Sequence, residues 1–282
     1  MAREERAQWA RLDLEGVALL ADLAAGVSLA RALQFDPAAP GCFGAPAPAA
    51  HALSVGDRAY SVAQGASCNC TLISYCPHAH GTHTESVGHL TREPLDAYRV
   101  IPQRLLVAAL VSVEPEAAAG TAEASEPAPL ASDRLVTARA LERAWPAVPS
   151  PRLSARAAVI RTLPNPAGKY TGAKADASSV PYLSRQAMQG LVARGIAHLV
   201  LDLPSADRLQ DGGALTAHRV FFGLPPGRHA LQEAQRPACT LTELAYVDDA
   251  LPDGWYLLSL QSPAIAGDAV SSRPVLYPLR LV

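Results

Sequence analysis

Pro77-His78-Ala79-His80-Gly81-Thr82-His83-Thr84-Glu85-Ser86-Val87-Gly88-His89 gathers four of the chain's eight histidines, one carboxylate and two glycines. Imidazole and carboxylate together are the donors preferred by borderline divalent metals such as zinc and manganese. In an extended chain, side chains two apart share a face. His78 then lies with His80, and His83 with Glu85, the two pairs separated by the Gly81-Thr82 bend. Gly81 lets the backbone bend sharply or approach an ion closely, so His83 and Glu85 can converge on one point. Gly88 lets the chain turn again before His89. The stretch reads as metal ligands at a stiff strand end, with a further histidine just outside them as proton carrier. A histidine-rich surface loop without an ion is the plainer alternative.

Outward from this loop, short strands alternate with a few helices. Arg58–Val62 and Ser67–Tyr75 read as strands, the second delivering the chain into the loop. Asp96–Val100 reads as a turn. Leu105–Val111 is a continuous apolar run of strand length, which fits a strand buried on both faces. Thr137 can cap a helix over Ala138–Trp145 that Pro146 stops. Arg156–Arg161 is another strand, and Lys169-Tyr170 follow in a loop that could approach a substrate. Ser184 caps a helix with Ala187, Met188, Leu191 and Val192 on one face, ended by Gly195. It leads into the apolar strand His198–Leu203, an α/β unit. Val220–Gly223, Cys239–Tyr246 and Trp255–Leu260 read as short strands. Upstream, about Glu5 to Ala25 reads as an amphipathic helix with Trp9, Leu12, Val17 and Leu20 inward. Val27-Ser28-Leu29 starts an extended segment, and 35–51 is a Pro/Ala/Gly-rich loop in which Phe43-Gly44-Ala45-Pro46 could act as a lid. Glu114–Ser132 has no apolar period and reads as an exposed insertion.

The expected fold class is therefore α/β: a single domain with a mixed sheet that can curl into a barrel, and flanking helices. Residues 1–26 are expected as a helical N-terminal extension and 27–282 as the main domain, with the insertion at about 114–132. At 282 residues, 49% hydrophobic and 18% charged, the chain is long and apolar enough for a sizeable core. A net charge of −2 without a basic block argues against nucleic-acid partners. The apolar run near Val17–Val27 is short and broken by Asp22, so neither a signal peptide nor a membrane span is expected, and a cytoplasmic location follows by default. Five cysteines are an odd number in a long chain and read as buried reduced thiols. Cys68-Asn69-Cys70 alone is a weak zinc signal. Glu243, in the apolar stretch Thr240-Leu241-Thr242-Glu243-Leu244, is a carboxylate of a kind seldom buried unless paired or coordinated.

Gly81-Thr82-His83-Thr84-Glu85 followed by His89 resembles the signature of the cyclase family, the kynurenine formamidase-like metal hydrolases, whose motif reads H-x-G-T-H-x-D-x-P-x-H. Gly81, Thr82, His83 and His89 match in register, and Glu85 stands at the family's aspartate. Ala79 replaces the first histidine and Val87 the proline. His78 or His80 could supply the missing ligand, and resemblance to a PHxxGTHTE subgroup favours His78. Asp202-Leu203-Pro204-Ser205-Ala206-Asp207-Arg208, with Asp211-Gly212-Gly213 and His218, resembles the family's second block, and the stretch around Glu243 resembles its later glutamate strand. Trp255-Tyr256-Leu257-Leu258 and Ser271–Tyr277 resemble its C-terminal pattern. The resemblance implies a swivelling β/β/α fold, usually a homo-oligomer. It implies metal ligands His78, His83, Glu85, His218 and Glu243 around one or two zinc or manganese ions, with His89 as general acid/base. The implied reaction is hydrolysis of a non-peptide C–N bond in a small aromatic or cyclic amide. The alternatives are lactone hydrolysis or closure on the same scaffold, and a non-catalytic metal-binding scaffold. His51, His198 and His229 match nothing and read as structural.

Overall fold

The computed structural model describes residues 8–14, 16–36, 41–170 and 180–282. Its principal strands are β1 (Trp9–Leu14), β2 (Val17–Asp22), β3 (His83–Glu85), β4 (Leu106–Val113) and β5 (Ala157–Thr162). They continue with β6 (His198–Leu201), β7 (Thr240–Glu243), β8 (Gly254–Gln261), β9 (Ala269–Ser271) and β10 (Arg273–Leu281). The helices that matter here are α1 (Pro77–His80), α2 (Ala138–Ala144), α3 (Arg185–Ala193) and α4 (Thr216–Phe222). The strands lie in the order β1-β2-β10-β8-β4-β5-β6-β7-β3-β9 within one 11-stranded sheet, whose remaining strand, Val27–Ser28, pairs with β10. Strands β4 to β7 run parallel, and antiparallel pairs flank them on both sides. The expected single α/β domain with a large mixed sheet is what the chain forms.

Period-2 alternation explains why the central strands are apolar throughout. Leu106, Ala108 and Leu110 of β4 face one layer with Val159, Val200, Tyr256 and Leu276. Ala109, Val111 and Val113 face the other, with Ile160, Leu199, Leu201 and the helical residues Leu141, Met188, Leu191 and Phe221. Both faces are thus removed from water, as expected for strands of a parallel sheet, the second face being the one covered by helices. The caps also fall where the residues suggest: Thr137 Oγ1 accepts from Ala140 N at 3.0 Å and Ser184 Oγ from Ala187 N at 2.9 Å.

Several expectations are corrected. The N-terminal stretch is not a helix over its described residues: β1 and β2 form an antiparallel hairpin with Leu14 opposite Val17 and Trp9 opposite Asp22. The apolar positions Leu12, Leu14, Val17, Leu19 and Ala21 repeat every two residues on each side of a reversal. Gly16 (φ 73°) takes the left-handed conformation in that reversal. Leu19 and Ala21 pack on Val107 and Leu257, so the hairpin extends the main sheet through β10. Residues 5–7 of the expected helix, and Glu15, lie outside the described residues. Val220–Gly223 belongs to the end of α4 and its left-handed Gly223 stop, not to a strand. Of Arg58–Val62 only Arg58–Ala59 is extended, and the second expected strand shortens to Thr71–Ser74, paired with Ala49–Ala52. Within Asp96–Val100, Ala97–Val100 forms one helical turn. Within 114–132, Glu116–Ala117 pairs with Arg134–Leu135, and Glu123 Oε2 accepts from Ala138 N at 2.8 Å at the start of α2. No helix among the described residues is long and apolar enough to cross a membrane.

Candidate metal centre

β3 is the pivot of the site. It is fully buried between β7 and β9, with His83 opposite Glu243 and Glu85 opposite Ala269. Paired residues point to the same face of a sheet, so the register itself sets His83, Glu85 and Glu243 together. Thr84 between them points the other way and is satisfied by Thr242 Oγ1 at 2.7 Å and Ser272 Oγ at 2.8 Å.

His83 is held by its own turn. Its Nδ1 donates to Gly81 O at 3.0 Å, which leaves Nε2 as the lone-pair nitrogen. That Nε2 is buried without a hydrogen-bond partner and lies 3.6 Å from Glu243 Oε2. Burial, with the neighbouring His78 cation, lowers the His83 pKa to about 4, so it is neutral at pH 7. Both oxygens of Glu85 are also buried without a hydrogen-bond partner. His218 Nε2 approaches Glu85 Oε1 to 3.0 Å and Glu243 Oε1 to 3.5 Å, ion-pair distances without hydrogen-bond geometry. Burial opposes ionisation of Glu85, but the positive charge of His218 outweighs it and holds the carboxyl well below its usual range. Burial raises Glu243 to about 8, only partly offset by His218, although Glu243 Oε1 accepts Ala206 N at 2.7 Å.

His218 sits in the first turn of α4, and Asp207 ties it there. Asp207 accepts Ala217 N at 2.6 Å and His218 N at 3.1 Å, capping the helix start, and takes His218 Nδ1 at 2.6 Å. Nδ1 is thereby the protonated nitrogen and Nε2 is aimed at the two glutamates. A ligating histidine characteristically has its other nitrogen held by a carboxylate in this way.

Of the two histidines flanking Ala79, His78 is the one that lies against Glu85. From α1 its Nδ1 lies 3.3 Å from Glu85 Oε2 and its Nε2 2.9 Å from Asp268 Oδ2. Burial disfavours its cation, but the hydrogen bond to Asp268 and the nearby charge of Glu85 win and raise its pKa to about 10. His80 does not reach the site. Its Nδ1 accepts Cys76 N at 2.9 Å and its Nε2 donates to Pro46 O at 2.9 Å, so both nitrogens are engaged in holding the loop. His89 stands beside the cluster, its ring centroid 4.3 Å from that of His78 and 5.8 Å from that of His218. Its Nδ1 lies 3.2 Å from Asp268 Oδ2, and its side chain is 29% exposed.

All six residues singled out from the sequence, His78, His83, Glu85, His89, His218 and Glu243, are thus brought to one place. Two clusters, His78/His83/Glu85 and Glu85/His218/Glu243, have ligand atoms within 4.8 Å of one another and share Glu85. Three imidazoles and two carboxylates, several buried without partners, fit a divalent cation: such groups are costly to bury unless coordinated. Sequence reasoning missed Asp207 as the orienting partner of His218, and missed Asp268 altogether. Lys169, expected in a loop that could approach a substrate, instead turns into the fold. Its ammonium is buried against Asp202 at 2.8 Å and the Thr162 carbonyl. Phe43 is exposed in a turn beside α1, where a Cβ on Gly41 would meet His80 Nε2 at 2.5 Å. His198 bonds Thr240 Oγ1 at 2.9 Å, His229 bonds Leu90 O at 2.8 Å, and exposed His51 lies in the strand paired with Thr71–Ser74. The five cysteines are free, but only Cys239 is buried, which corrects the expectation of buried thiols. None of them enters a candidate metal cluster among the described residues.

The family model described as "Putative cyclase" matches residues 27–208. Solved structures with the same fold include a "predicted metal-dependent hydrolase" from Bacillus stearothermophilus, 14% identical, TM-score 0.56, covering 89% of this chain and 97% of its own. An isatin hydrolase bound to the product analogue thioisatinate is 18% identical, TM-score 0.58, covering 91% and 93%. Isatin hydrolase A from Labrenzia aggregata is 17% identical, TM-score 0.57, covering 89% and 93%. The comparison with curated proteins finds no match.

Proposed function

The chain belongs to the cyclase family, and from that premise we propose that it is a metal-dependent hydrolase of a small amide. The observation that carries this reading is the set of buried, unpartnered donors: His83 Nε2 and both oxygens of Glu85, beside Glu243 and His218. His78, His83, Glu85, His218 and Glu243 would hold a divalent ion, zinc or manganese, both of which accept imidazole and carboxylate. When bound, that ion supplies Lewis-acid activation of water and of the carbonyl under attack.

The chain's own groups supply the rest. Asp207 keeps the His218 lone pair on the site, and the Gly81 carbonyl does the same for His83. Burial of β3 excludes bulk water from the ligand side. His89, part-exposed at the edge, takes a proton from the attacking water at Nε2 and returns it to the leaving nitrogen. Imidazole suits both directions because its unperturbed pKa of about 6.5 lies near neutrality. The bond broken is a C–N bond other than a peptide bond, and the products are a carboxylate and an amine. Within that class we place cyclic amides and aryl formamides first. Isatin, which names two of the similar structures, is a cyclic amide. The resemblance also supports a homo-oligomer, which the mass of the native protein relative to its 29.5 kDa chain tests.

The test is a hydrolysis screen of metal-loaded protein over cyclic imides and lactams, aryl formamides and lactones. Turnover of an amide class that disappears with chelator and returns with Zn(II) or Mn(II) supports the reading. Turnover confined to lactones, or none at all, contradicts it.

A further inference from the structure

Ala79 occupies the position where the family motif has its first histidine, and His78 takes over from one residue earlier. This substitute ligand is less well held than the others: its side chain is 21% exposed, against none for His83. It stands on a single helical turn, α1, that ends at Gly81. An imidazole so placed needs an external partner to keep one nitrogen turned toward Glu85. Asp268 is that partner. Its Oδ2 lies 2.9 Å from His78 Nε2, so that Nδ1 is the nitrogen left facing Glu85 Oε2. The same Oδ2 lies 3.2 Å from His89 Nδ1, which leaves His89 Nε2 free for proton transfer. Asp268 is itself fixed by its backbone: its carbonyl accepts Ser86 N at 2.9 Å, next to the β9–β3 pairing of Ala269 with Glu85.

We propose that Asp268 is a positioning residue that orients the substitute ligand His78 and the proton carrier His89 with one carboxylate. It thereby compensates for the histidine missing at Ala79. The inference rests on the metal-hydrolase reading above and adds a role that the motif does not contain. A carboxylate on the far nitrogen of a ligating histidine fixes its tautomer and raises its basicity. The same contact on His89 sets which nitrogen exchanges protons.

The experiment compares wild type, Asp268→Asn, His89→Ala and the double variant for Mn(II) affinity by equilibrium dialysis, and for kcat and KM at saturating metal. Asp268→Asn is expected to weaken Mn(II) binding about 10–100-fold, and to lower kcat with KM little changed. His89→Ala is expected to leave Mn(II) affinity at the wild-type value. The double variant should turn over no more slowly than His89→Ala alone, because Asp268 acts on the proton through His89; independent structural damage would add instead. Asp268→Ser gives the same comparison should the asparagine variant not fold, since the carboxylate is 45% exposed and the pairing with Ser86 uses the main chain.

Unchanged affinity and kcat in an Asp268 variant of a metal-binding, active enzyme overturn this inference alone. So does the loss of one whole ion from a two-ion stoichiometry, which would make Asp268 a ligand in a His78/His89/Asp268 site of its own. A wild-type protein that neither binds the ion nor hydrolyses any amide overturns the functional reading, and the inference with it.

Discussion

Each imidazole at the centre has one nitrogen whose partner decides the task of the other. Gly81 O takes His83 Nδ1, Asp207 takes His218 Nδ1, and Asp268 takes one nitrogen each of His78 and His89. Whereas His218 was reached only through the family resemblance, His78, His83 and His89 were legible because four histidines, a glutamate and two glycines within 13 residues form a local pattern. The aspartates were not. Asp207 stands nine residues before the start of α4, among other aspartates of one loop, and Asp268 follows Gly267 with no spacing that singles it out. Their roles come from contacts separated by up to 190 residues. Two predictions belong at this scale. Asp207→Asn keeps an oxygen to cap α4 but removes the charge on His218 Nδ1, so the metal dissociation constant should rise about 10–100-fold. Equilibrium dialysis measures it, and wild-type affinity would deny Asp207 its orienting part. His89→Ala should lower hydrolysis about 10²–10⁴-fold while metal content stays at the wild-type level. Steady-state rates with parallel metal analysis check this, and an unchanged rate removes His89 from the chemistry.

At the scale of elements, the sequence was most informative where packing and local preference agree. The β4 run is apolar on both faces because both faces are covered, and the Thr137 and Ser184 caps are satisfied at the helix starts. It was least informative at the N-terminus, where Leu12, Val17 and Leu20 mimic a helical face. The competing period of two, reversed at Gly16, prevails because it lets β2 pair with β10 and extend the sheet. The C-terminal end of α4 misled for the opposite reason: Val220, Phe221 and Phe222 have high strand preference, yet His218 must sit on a helix start capped by Asp207. The hairpin makes a sharp prediction. Leu19 is fully buried and Leu20 is not, so Leu19→Ala should cost about 2–5 kcal/mol of stability and Leu20→Ala clearly less. Denaturant unfolding of the two variants decides, and the reverse ranking would favour the helical face.

Taken whole, the molecule uses its sheet to bring α1, β3, α4, β7 and the start of β9 to one point from across some 190 residues of chain. The same interior shapes its response to acid. His198, at the start of β6, is buried; burial, reinforced by Arg156, Arg104 and Arg236, lowers its pKa to about 4. Above the unfolded value of about 6.5 neither state is charged and the residue contributes nothing. As pH falls from 6.5 toward 4 the unfolded chain takes up the proton and the folded chain does not. Stability should therefore drop by up to about 3 kcal/mol from this residue. Urea unfolding of wild type and His198→Gln across that window measures the difference, and parallel pH dependences would show that His198 does not contribute.

The central claim is that five side chains from distant segments hold a divalent ion. Elemental analysis of the purified protein beside Glu85→Gln tests it most directly. The account predicts one or two equivalents of zinc or manganese per wild-type chain and a marked loss in the variant. A wild-type protein that contains no divalent metal, and takes none up from Zn(II) or Mn(II) solutions, would contradict it.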